Sequence, residues 1–305
     1  MNNLYRDLAP ISSAAWSDME DEARRTFRAR VAARRVVDMP EPAGAEFSAL
    51  GTGHVSRIEA DTTGVQALQR HVVRVVELRA PFTVNRSDVD SVERGATDPD
   101  WQPVKDAAVA LASAEDRTVF YGSDAAGIQG IAPASDNGRV SMPQDVREFP
   151  DAVAKAKTEL RLAGVAGPYN LLLPADLYTE VTETTDHGYP IYDHISRILG
   201  DGSIIWAPAL DDALLLSARG GDYELHLGLD TAIGYSSHTA ETVDLYLRET
   251  LTFRVNTSEA SVVISRCARS APRVRQTRRT HRARRTRRAL PQGVRGGSFH
   301  ARARR

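Results

Sequence analysis

Hydrophobic residues near the N-terminus follow the period of an α-helix. The apolar positions are Trp16, Met19, Ala23, Phe27 and Val31. Charged residues fill most of the positions between them, so one face of this predicted helix is apolar and the other is polar. Ser12 or Ser13 supplies the side-chain oxygen that caps a helix start. Such a helix needs a surface to cover its apolar face, either in its own core or on another subunit.

The pattern changes to that of β-strands between residues 47 and 84. Apolar and polar residues alternate loosely over 54–60, and β-branched residues mix with arginine and histidine over 65–76. A two-stranded excursion with polar residues on both faces cannot bury itself. We therefore expect an arm that packs against a partner.

The remaining elements follow one another without a regular strand–helix–strand period. The predicted helices are an alanine-rich one over 101–121 and amphipathic or short ones over 150–162 and 175–182. The predicted strands are 169–173, 204–206, 213–218, 223–227, 242–253 and 261–264, with a hairpin turn at Arg219-Gly220-Gly221-Asp222. This mixed order indicates the α+β class.

Composition is that of an ordinary globular protein, with 42% hydrophobic and 26% charged residues. It excludes collagen-like, disulfide-framework and wholly disordered chains. The net charge of −1 hides two different pieces, because residues 266–305 contain 15 arginines and no lysine, aspartate or glutamate. Residues 1–265 then hold 24 basic and 40 acidic residues, a net charge of −16. An acidic body is therefore followed by a cationic tail.

Location is indicated by the ends of the chain and by its single cysteine. Cys267 lies in the tail, so the body has neither a disulfide nor a thiol nucleophile. The first residues lack the basic and apolar regions of a signal peptide, and no apolar stretch approaches the length of a membrane span. We expect a cytoplasmic protein with no membrane partner.

Motifs for catalysis or cofactor binding are missing from the sequence. It contains no GxxxxGK[ST], HExxH, GxSxG or well-placed GxGxxG pattern. Two Asp-His pairs, at 186–187 and 193–194, offer metal-ligand chemistry, but a polar loop with a glycine and a proline is the favoured interpretation. Glu115 and Asp116 point about 100° apart on the predicted 101–121 helix, so they are expected to pair with arginine or to form a solvated edge. No catalytic site, metal or cofactor is predicted.

Several separated motifs together resemble one known family. The N-terminal group is Asn2-Asn3-Leu4-Tyr5-Arg6, Leu8-Ala9-Pro10, Trp16, Ala23-Arg24, Phe27 and Arg34-Arg35-Val36-Val37-Asp38. The second group is Glu77-Leu78-Arg79-Ala80-Pro81-Phe82-Thr83, Glu93-Arg94-Gly95 and Trp101-Gln102-Pro103-Val104-Lys105-Asp106. The third group is Asp124-Ala125-Ala126-Gly127-Ile128, Asp186-His187-Gly188-Tyr189-Pro190, Arg219-Gly220-Gly221-Asp222-Tyr223 and Ile233-Gly234-Tyr235. Over residues 1–265 the chain resembles the family 1 encapsulin shell proteins of the actinobacterial type, also known as linocin-type bacteriocins.

The resemblance implies the tailed-bacteriophage major capsid protein fold. The implied division is an N-terminal arm and helix over 1–46, an E-loop with flanking strands over 47–84, a peripheral domain over 85–148, an axial domain over 149–215, return strands over 216–265 and a disordered tail over 266–305. Subunits of this family close into an icosahedral shell of roughly 60 copies or a multiple of 60. The shell encloses a cargo enzyme, a dye-decolorising peroxidase or a ferritin-like iron oxidase, with roles in oxidative stress or iron storage. The cargo is captured by a short C-terminal targeting peptide.

Three sites follow from the resemblance by position. The cargo-peptide groove corresponds to Phe27 and Val31 as an apolar floor, with Arg34, Asp38, Asp230 and Ile233 beside them; burial of the helix against its own body is the alternative for the two floor residues. The five-fold pore loop corresponds to Asp186, His187, Gly188 and Tyr189, where polar residues repeated around an axis tune the passage of small substrates. Flavin-binding relatives carry an aromatic residue where this chain has Ser87, so no flavin is expected.

The tail over 266–305 lies outside the resemblance, and three interpretations stay open. Arginine-rich segments of this kind bind nucleic acid through phosphates. The tail also has the charge to lie on the acidic body, and a shifted reading frame in a GC-rich gene produces the same composition. The alternatives for the whole protein are a phage or prophage capsid protein that packages DNA, a secreted bacteriocin-like protein, and a nucleic-acid binder.

Overall fold

The computed structural model describes residues 3–266, which belong to one compact unit. The helices of this part are α1 (Ser13–Arg30), α2 (Arg86–Glu93), α3 (Gln102–Tyr121), α4 (Ile131–Ala134), α5 (Phe149–Leu162), α6 (Ala175–Glu183) and α7 (Ile191–Leu199). The strands are β1 (Ala49–Ile58), β2 (Ala67–Arg74), β3 (Val76–Asn85), β4 (Gly122–Ser123), β5 (Ile128–Gln129), β6 (Val140–Met142), β7 (Tyr169–Leu173), β8 (Thr185–Asp186), β9 (Tyr189–Pro190), β10 (Ile204–Trp206), β11 (Ala213–Ser217), β12 (Tyr223–Leu227), β13 (Ala232–His238), β14 (Thr242–Val255) and β15 (Ser261–Arg266). Among the described residues, no helix is long and apolar enough to cross a membrane.

Helix α1 confirms the predicted N-terminal amphipathic helix. The Ala15 N–H donates to the Ser12 hydroxyl at 3.2 Å, so Ser12 is the N-cap. The helix buries Trp16, Met19, Ala23 and Phe27, which belong to the face that the sequence pattern indicates. This face packs against α3, so the chain's own core covers it.

The arm is a hairpin of β1 and β2 that leaves the body. The two strands pair antiparallel, from Ala49 opposite Arg74 to Ile58 opposite Ala67. Val55 and Leu68 are more than half exposed on it. The strand predicted over 65–76 is shorter than expected. It breaks at Val75, whose N–H donates to the Ser48 carbonyl at 3.0 Å, and β3 then returns along β14.

Two sheets build the body. Strand β14 pairs antiparallel with β3, β12 and β13, and α3 packs on this sheet. The second sheet has the order β10-β7-β11-β15-β6 and is covered by α5 and α7. One hydrophobic cluster surrounds the second sheet, and another lies between α1, α3 and the first sheet. The mixed helices and sheets confirm the α+β class.

The structure corrects the prediction of a polar loop through residue 194. Helix α7 begins at Ile191, so Asp193 and His194 lie on a helix. Ile191, Ile195 and Leu199 form its buried face. Helix α2 and strand β13 are further elements that the sequence pattern did not reveal.

Candidate functional site

A cavity of about 400 Å³ lies between α1 and the sheet of β13 and β14. Its floor is apolar and is built from Phe27, Val31, Ile233 and Leu247, each less than a tenth exposed. Charged side chains stand around this floor. They are Glu20, Arg24, Arg28, Arg34, Arg35 and Asp230.

Five of the six residues assigned to the groove from the sequence line this cavity. They are Phe27, Val31, Arg34, Asp230 and Ile233. They are up to 206 positions apart in the sequence, and the fold brings them together because the end of α1 faces the start of β13.

Asp38, the sixth residue assigned to the groove, does not line this cavity, and its place in a peptide groove stays a prediction. Its backbone N–H donates to the Tyr223 carbonyl at 2.9 Å, and its carboxylate accepts from the Gly221 N–H at 2.5 Å. Gly220 and Gly221 have φ of 81° and 80° in this turn. Asp38 therefore holds the hairpin turn before β12, which is a structural use of the carboxylate.

Arg34 is the centre of an ion-pair network beside the cavity floor. Its Nε and Nη2 donate to Glu115 at 2.8 and 2.6 Å, in the two-pronged geometry that arginine forms with carboxylates. Nη2 also donates to Glu249 at 3.1 Å, and Nη1 donates to Asp230 at 2.9 Å. The guanidinium additionally lies 4.7 Å from the centre of the Phe27 ring. One side chain thus joins the segment after α1 to α3, β14 and the turn before β13.

Glu115 and Asp116 are both fully buried, so a solvated edge is wrong for this pair. Glu115 pairs with Arg34, one of the two outcomes that the sequence indicates. Asp116 instead accepts from the backbone N–H groups of Ala32 and Ala33, at 3.0 and 2.8 Å. The two side chains point about 100° apart on α3. Glu115 can therefore bind the Arg34 guanidinium while Asp116 binds the backbone just before Arg34.

The protonation of this cluster follows from its burial. Burial would lower the pKa of Arg34, but its hydrogen bonds to Glu115 raise it, so Arg34 stays charged. Burial and the neighbouring charge of Glu115 raise the pKa of Glu249 well above its usual range. Burial also raises the pKa of Asp116 to about 7, although the bonds from Ala33 and Ala32 act in the opposite direction. Of the two glutamates that share the Arg34 guanidinium, Glu249 is therefore the one whose neutral form the fold favours.

The predicted pore loop is a tight hairpin between β8 and β9. His187 and Gly188 have φ of 47° and 82°, as in the two-residue turns that suit a right-handed strand twist. The His187 side chain is 97% exposed, and its Nε2 lies 3.7 Å from an Asp186 carboxylate oxygen. The Tyr189 ring contacts the His194 ring at 4.6 Å and the Arg197 guanidinium at 4.8 Å. In residues 3–266, no three histidine, cysteine or acidic side chains are placed to hold a metal ion.

Comparison with known proteins identifies the family. A family model described as "Encapsulating protein for peroxidase" matches residues 1–252. The type 1 encapsulin shell protein of Brevibacterium linens is 58% identical over 265 residues, which is 87% of this chain and all of that protein. The chain belongs to this encapsulin family.

Other encapsulin relatives cover a similar share of the chain. The type 1 encapsulin shell protein of Mycobacterium tuberculosis is 56% identical over 265 residues, again 87% of this chain and all of the relative. That of Rhodospirillum rubrum is 43% identical over 278 residues, which is 89% of this chain and 99% of the relative. The resemblance drawn from the motifs is confirmed. Because the encapsulin relatives are shell proteins, the expectation that this chain is not an enzyme is confirmed as well.

Solved structures confirm the capsid fold. A virus-like particle from Pyrococcus furiosus matches with a TM-score of 0.57 at 15% identity, over 82% of this chain and 99% of that chain. A chain of Mycobacterium phage Bobi matches with a TM-score of 0.53 at 13% identity, over 78% of this chain and 91% of that chain. At these identities the likeness establishes the fold alone. This encapsulin chain has the tailed-phage major capsid fold.

Sequence reasoning missed Glu249 and the buried role of Asp116. The signal for Asp116 was present, because it stands among the small residues that α3 buries. Glu249 lies on the 14-residue strand β14 between Leu247 and Leu251, which share its face of the strand. An acidic residue between two apolar residues of one strand face indicates a buried charge that needs a partner.

Proposed function

We propose that copies of this encapsulin-family chain form a shell around a cargo enzyme, and that the cavity between α1 and β13 binds a peptide of that cargo. The family description names an encapsulated peroxidase, which favours a dye-decolorising peroxidase over a ferritin-like protein as the cargo. The peptide is expected to be the cargo's C-terminal targeting segment. The shell itself performs no chemistry.

The apolar floor is the observation that carries this assignment. A cavity of about 400 Å³ falls within the range of binding pockets, and four hydrophobic side chains from α1, the residue after it, β13 and β14 line its floor. An extended peptide gains affinity by placing its apolar side chains in such pockets. The charged residues around the floor limit which peptides fit.

The hairpin between β8 and β9 is proposed as the loop that lines a pore. Its exposed His187 and the adjacent Asp186 would repeat around a symmetry axis of the shell, and a ring of polar groups favours small polar substrates over large or apolar ones. The number of subunits, roughly 60 or a multiple, stays a prediction, as do the cytoplasmic location and the division into peripheral and axial domains.

A phage-type capsid protein that packages DNA has the same fold and is the second candidate. The identity to encapsulin shell proteins favours the encapsulin function. The tail over 267–305 lies outside the described residues, so its binding to nucleic acid, its docking on the body and its origin in a shifted frame all stay predictions.

A test of the peptide site replaces Phe27 by Asp in the full-length chain and purifies particles together with the native cargo. A carboxylate on the cavity floor should prevent apolar side chains from binding, so the particles should assemble without cargo. Phe27→Ala, which removes the ring without adding charge, should reduce loading and leave assembly intact. Leu162→Asp adds the same charge at a position that is 78% exposed, and it should load normally.

Normal cargo loading in the Phe27→Asp particles would rule out the cavity as the cargo site. Assembly is read by electron microscopy and loading by the cargo-to-shell ratio in mass spectrometry. The two readouts separate a failed shell from an empty one.

A further inference from the structure

We propose that Arg28 and Arg35 select cargo peptides that carry an acidic residue beside their apolar anchor residues. This inference rests on the proposed function, because it assumes that the cavity binds a peptide. Beyond the proposed function, it specifies the charge that the peptide must carry and the two shell residues, Arg28 and Arg35, that recognise this charge.

Four arginines line the cavity, and two of them are already neutralised. Arg24 pairs with Asp21 at 2.8 Å. Arg34 donates to Glu115, Glu249 and Asp230, so its charge is fully used within the protein. Both arginines therefore already have acidic partners within the protein, Arg34 in a buried network and Arg24 in an exposed pair.

Arg28 and Arg35 form no ion pair with any residue in the described range 3–266. Both are exposed, and both line the same cavity. Arg28 directly follows the floor residue Phe27 on α1, and Arg35 directly follows Arg34. They therefore place two uncompensated positive charges next to the apolar floor.

The acidic residues at the cavity do not cancel these charges. Glu20 pairs with Arg6, and Asp230 is held by Arg34. The cavity is a local excess of positive charge on a body whose net charge over residues 1–265 is −16. Such a reversal of sign at an apolar cavity favours an acidic partner.

A peptide carboxylate can satisfy both arginines while its apolar neighbours occupy the floor. Arginine donates two parallel hydrogen bonds to a carboxylate, which fixes geometry as well as energy. Asp230 lines the cavity beside β13, across from Arg28 on α1, and its negative charge repels any second carboxylate of the peptide there. The peptide is then held in one direction, with its acidic residue toward Arg28 and Arg35.

The experiment co-expresses the full-length chain with a green fluorescent protein that carries a short Gly/Ser peptide. Each peptide has two leucines separated by one glycine, so that both side chains point the same way in an extended segment. The peptides differ in one residue next to the leucines, which is Glu, Gln or Lys. For each of these residues, one peptide places it before the leucines and a second peptide places it after them. Fluorescence per purified particle measures loading.

We expect a Glu peptide to load better than the Gln and Lys peptides. Only one of the two Glu peptides, with Glu either before or after the leucines, should show this advantage, because the peptide binds in one direction. Arg28→Glu with Arg35→Glu should reduce the loading of that Glu peptide about five- to tenfold, as expected for the loss of two partly exposed ion pairs. The same double variant should load the Lys peptide better than the parent does. Arg30→Glu is the matched control, because Arg30 is exposed on the same helix, has no ion pair in the described part of the chain and does not line the cavity.

Equal loading of the Glu, Gln and Lys peptides by the parent would overturn the charge selection. If that loading is still lost in Phe27→Asp, the peptide site itself stands. Failure of all the peptides to load, together with normal native cargo in Phe27→Asp, would overturn both the charge selection and the proposed function.

Discussion

The guanidinium of Arg34 has three carboxylates as partners, and two of these, Glu115 and Glu249, are fully buried. It is therefore the charge that makes their burial tolerable. The cavity floor depends on this network, because Arg34 also lies against the Phe27 ring.

Arg34→Met tests the network by removing the charge and keeping a long apolar side chain. It leaves Glu115 without its counter-ion, and the expected loss of stability is about 3–5 kcal/mol. Thermal unfolding of assembled particles measures it. Arg28→Met, at an exposed position without an ion pair in residues 3–266, is the control and should change stability by about 0.5 kcal/mol or less. Equal melting temperatures for the two variants would contradict the role given to Arg34.

Asp116 predicts a pH dependence of stability. Its pKa is raised to about 7 in the fold, whereas a free aspartic acid has a pKa of about 3.9. The folded chain therefore binds a proton that the unfolded chain has lost, and this contribution to stability decreases as the pH rises from about 4 to about 7. In Asp116→Asn the contribution is absent at every pH.

Melting temperatures of Asp116→Asn and the parent at pH 5 and pH 8 test this sign. The stability of the parent relative to the variant should be greater at pH 5 than at pH 8, by up to about 1.4 kcal/mol for each unit of the pKa shift. Asp90→Asn, at an exposed position, should show no such change. A parent that gains stability relative to Asp116→Asn as the pH rises would show that the direction is wrong.

Among the elements, α1 and α7 illustrate two outcomes of sequence reasoning. In α1 and the residue that follows it, five apolar residues repeat over 16 positions, and a serine caps the start, so the pattern indicates a helix without ambiguity. Helix α7 has nine residues, begins directly after a proline, and mixes three buried apolar residues with Asp193, His194 and Arg197. A pattern this short does not distinguish a helix from a polar loop, and packing of α7 against α5 decides it.

Ile195→Ala tests whether α7 is a core helix. The buried isoleucine is fully covered, so its truncation should cost about 2–5 kcal/mol. Asp193→Ala, on the exposed face of the same helix, should cost about 1 kcal/mol or less. Similar losses for the two variants, measured by thermal unfolding of particles, would argue against a buried face at Ile195.

At the scale of the whole molecule, the charge is divided along the chain, because residues 1–265 carry a net charge of −16. The Arg-rich segment contributes 14 arginines after Arg266. The acidic body and the cationic segment are thus separate in sequence.

Deletion of residues 267–305 should leave particle assembly intact, because the elements of the capsid fold remain. Particles of the parent and the deletion are compared by negative-stain microscopy. Binding of DNA at 50 and 200 mM salt is then measured for both. If the segment binds nucleic acid, the parent should lose affinity steeply with salt and the deletion should not bind. Loss of assembly would show that the segment is part of the shell's structure.

The α+β class, the N-terminal helix, most strands of the body and the family could be predicted from the amino-acid sequence. Each of these depends on local periodicity or on motifs that stand together in the chain. The sequence does not show that Asp38 holds a turn while Asp230 reaches the cavity, because both are exposed acidic residues in irregular segments. The burial of Glu115, Asp116 and Glu249 around Arg34 and the backbone beside it also becomes visible only in the folded chain. Charge pairing depends on distance in space, and residues 34, 115 and 249 become neighbours only when α3 and β14 pack against the segment after α1.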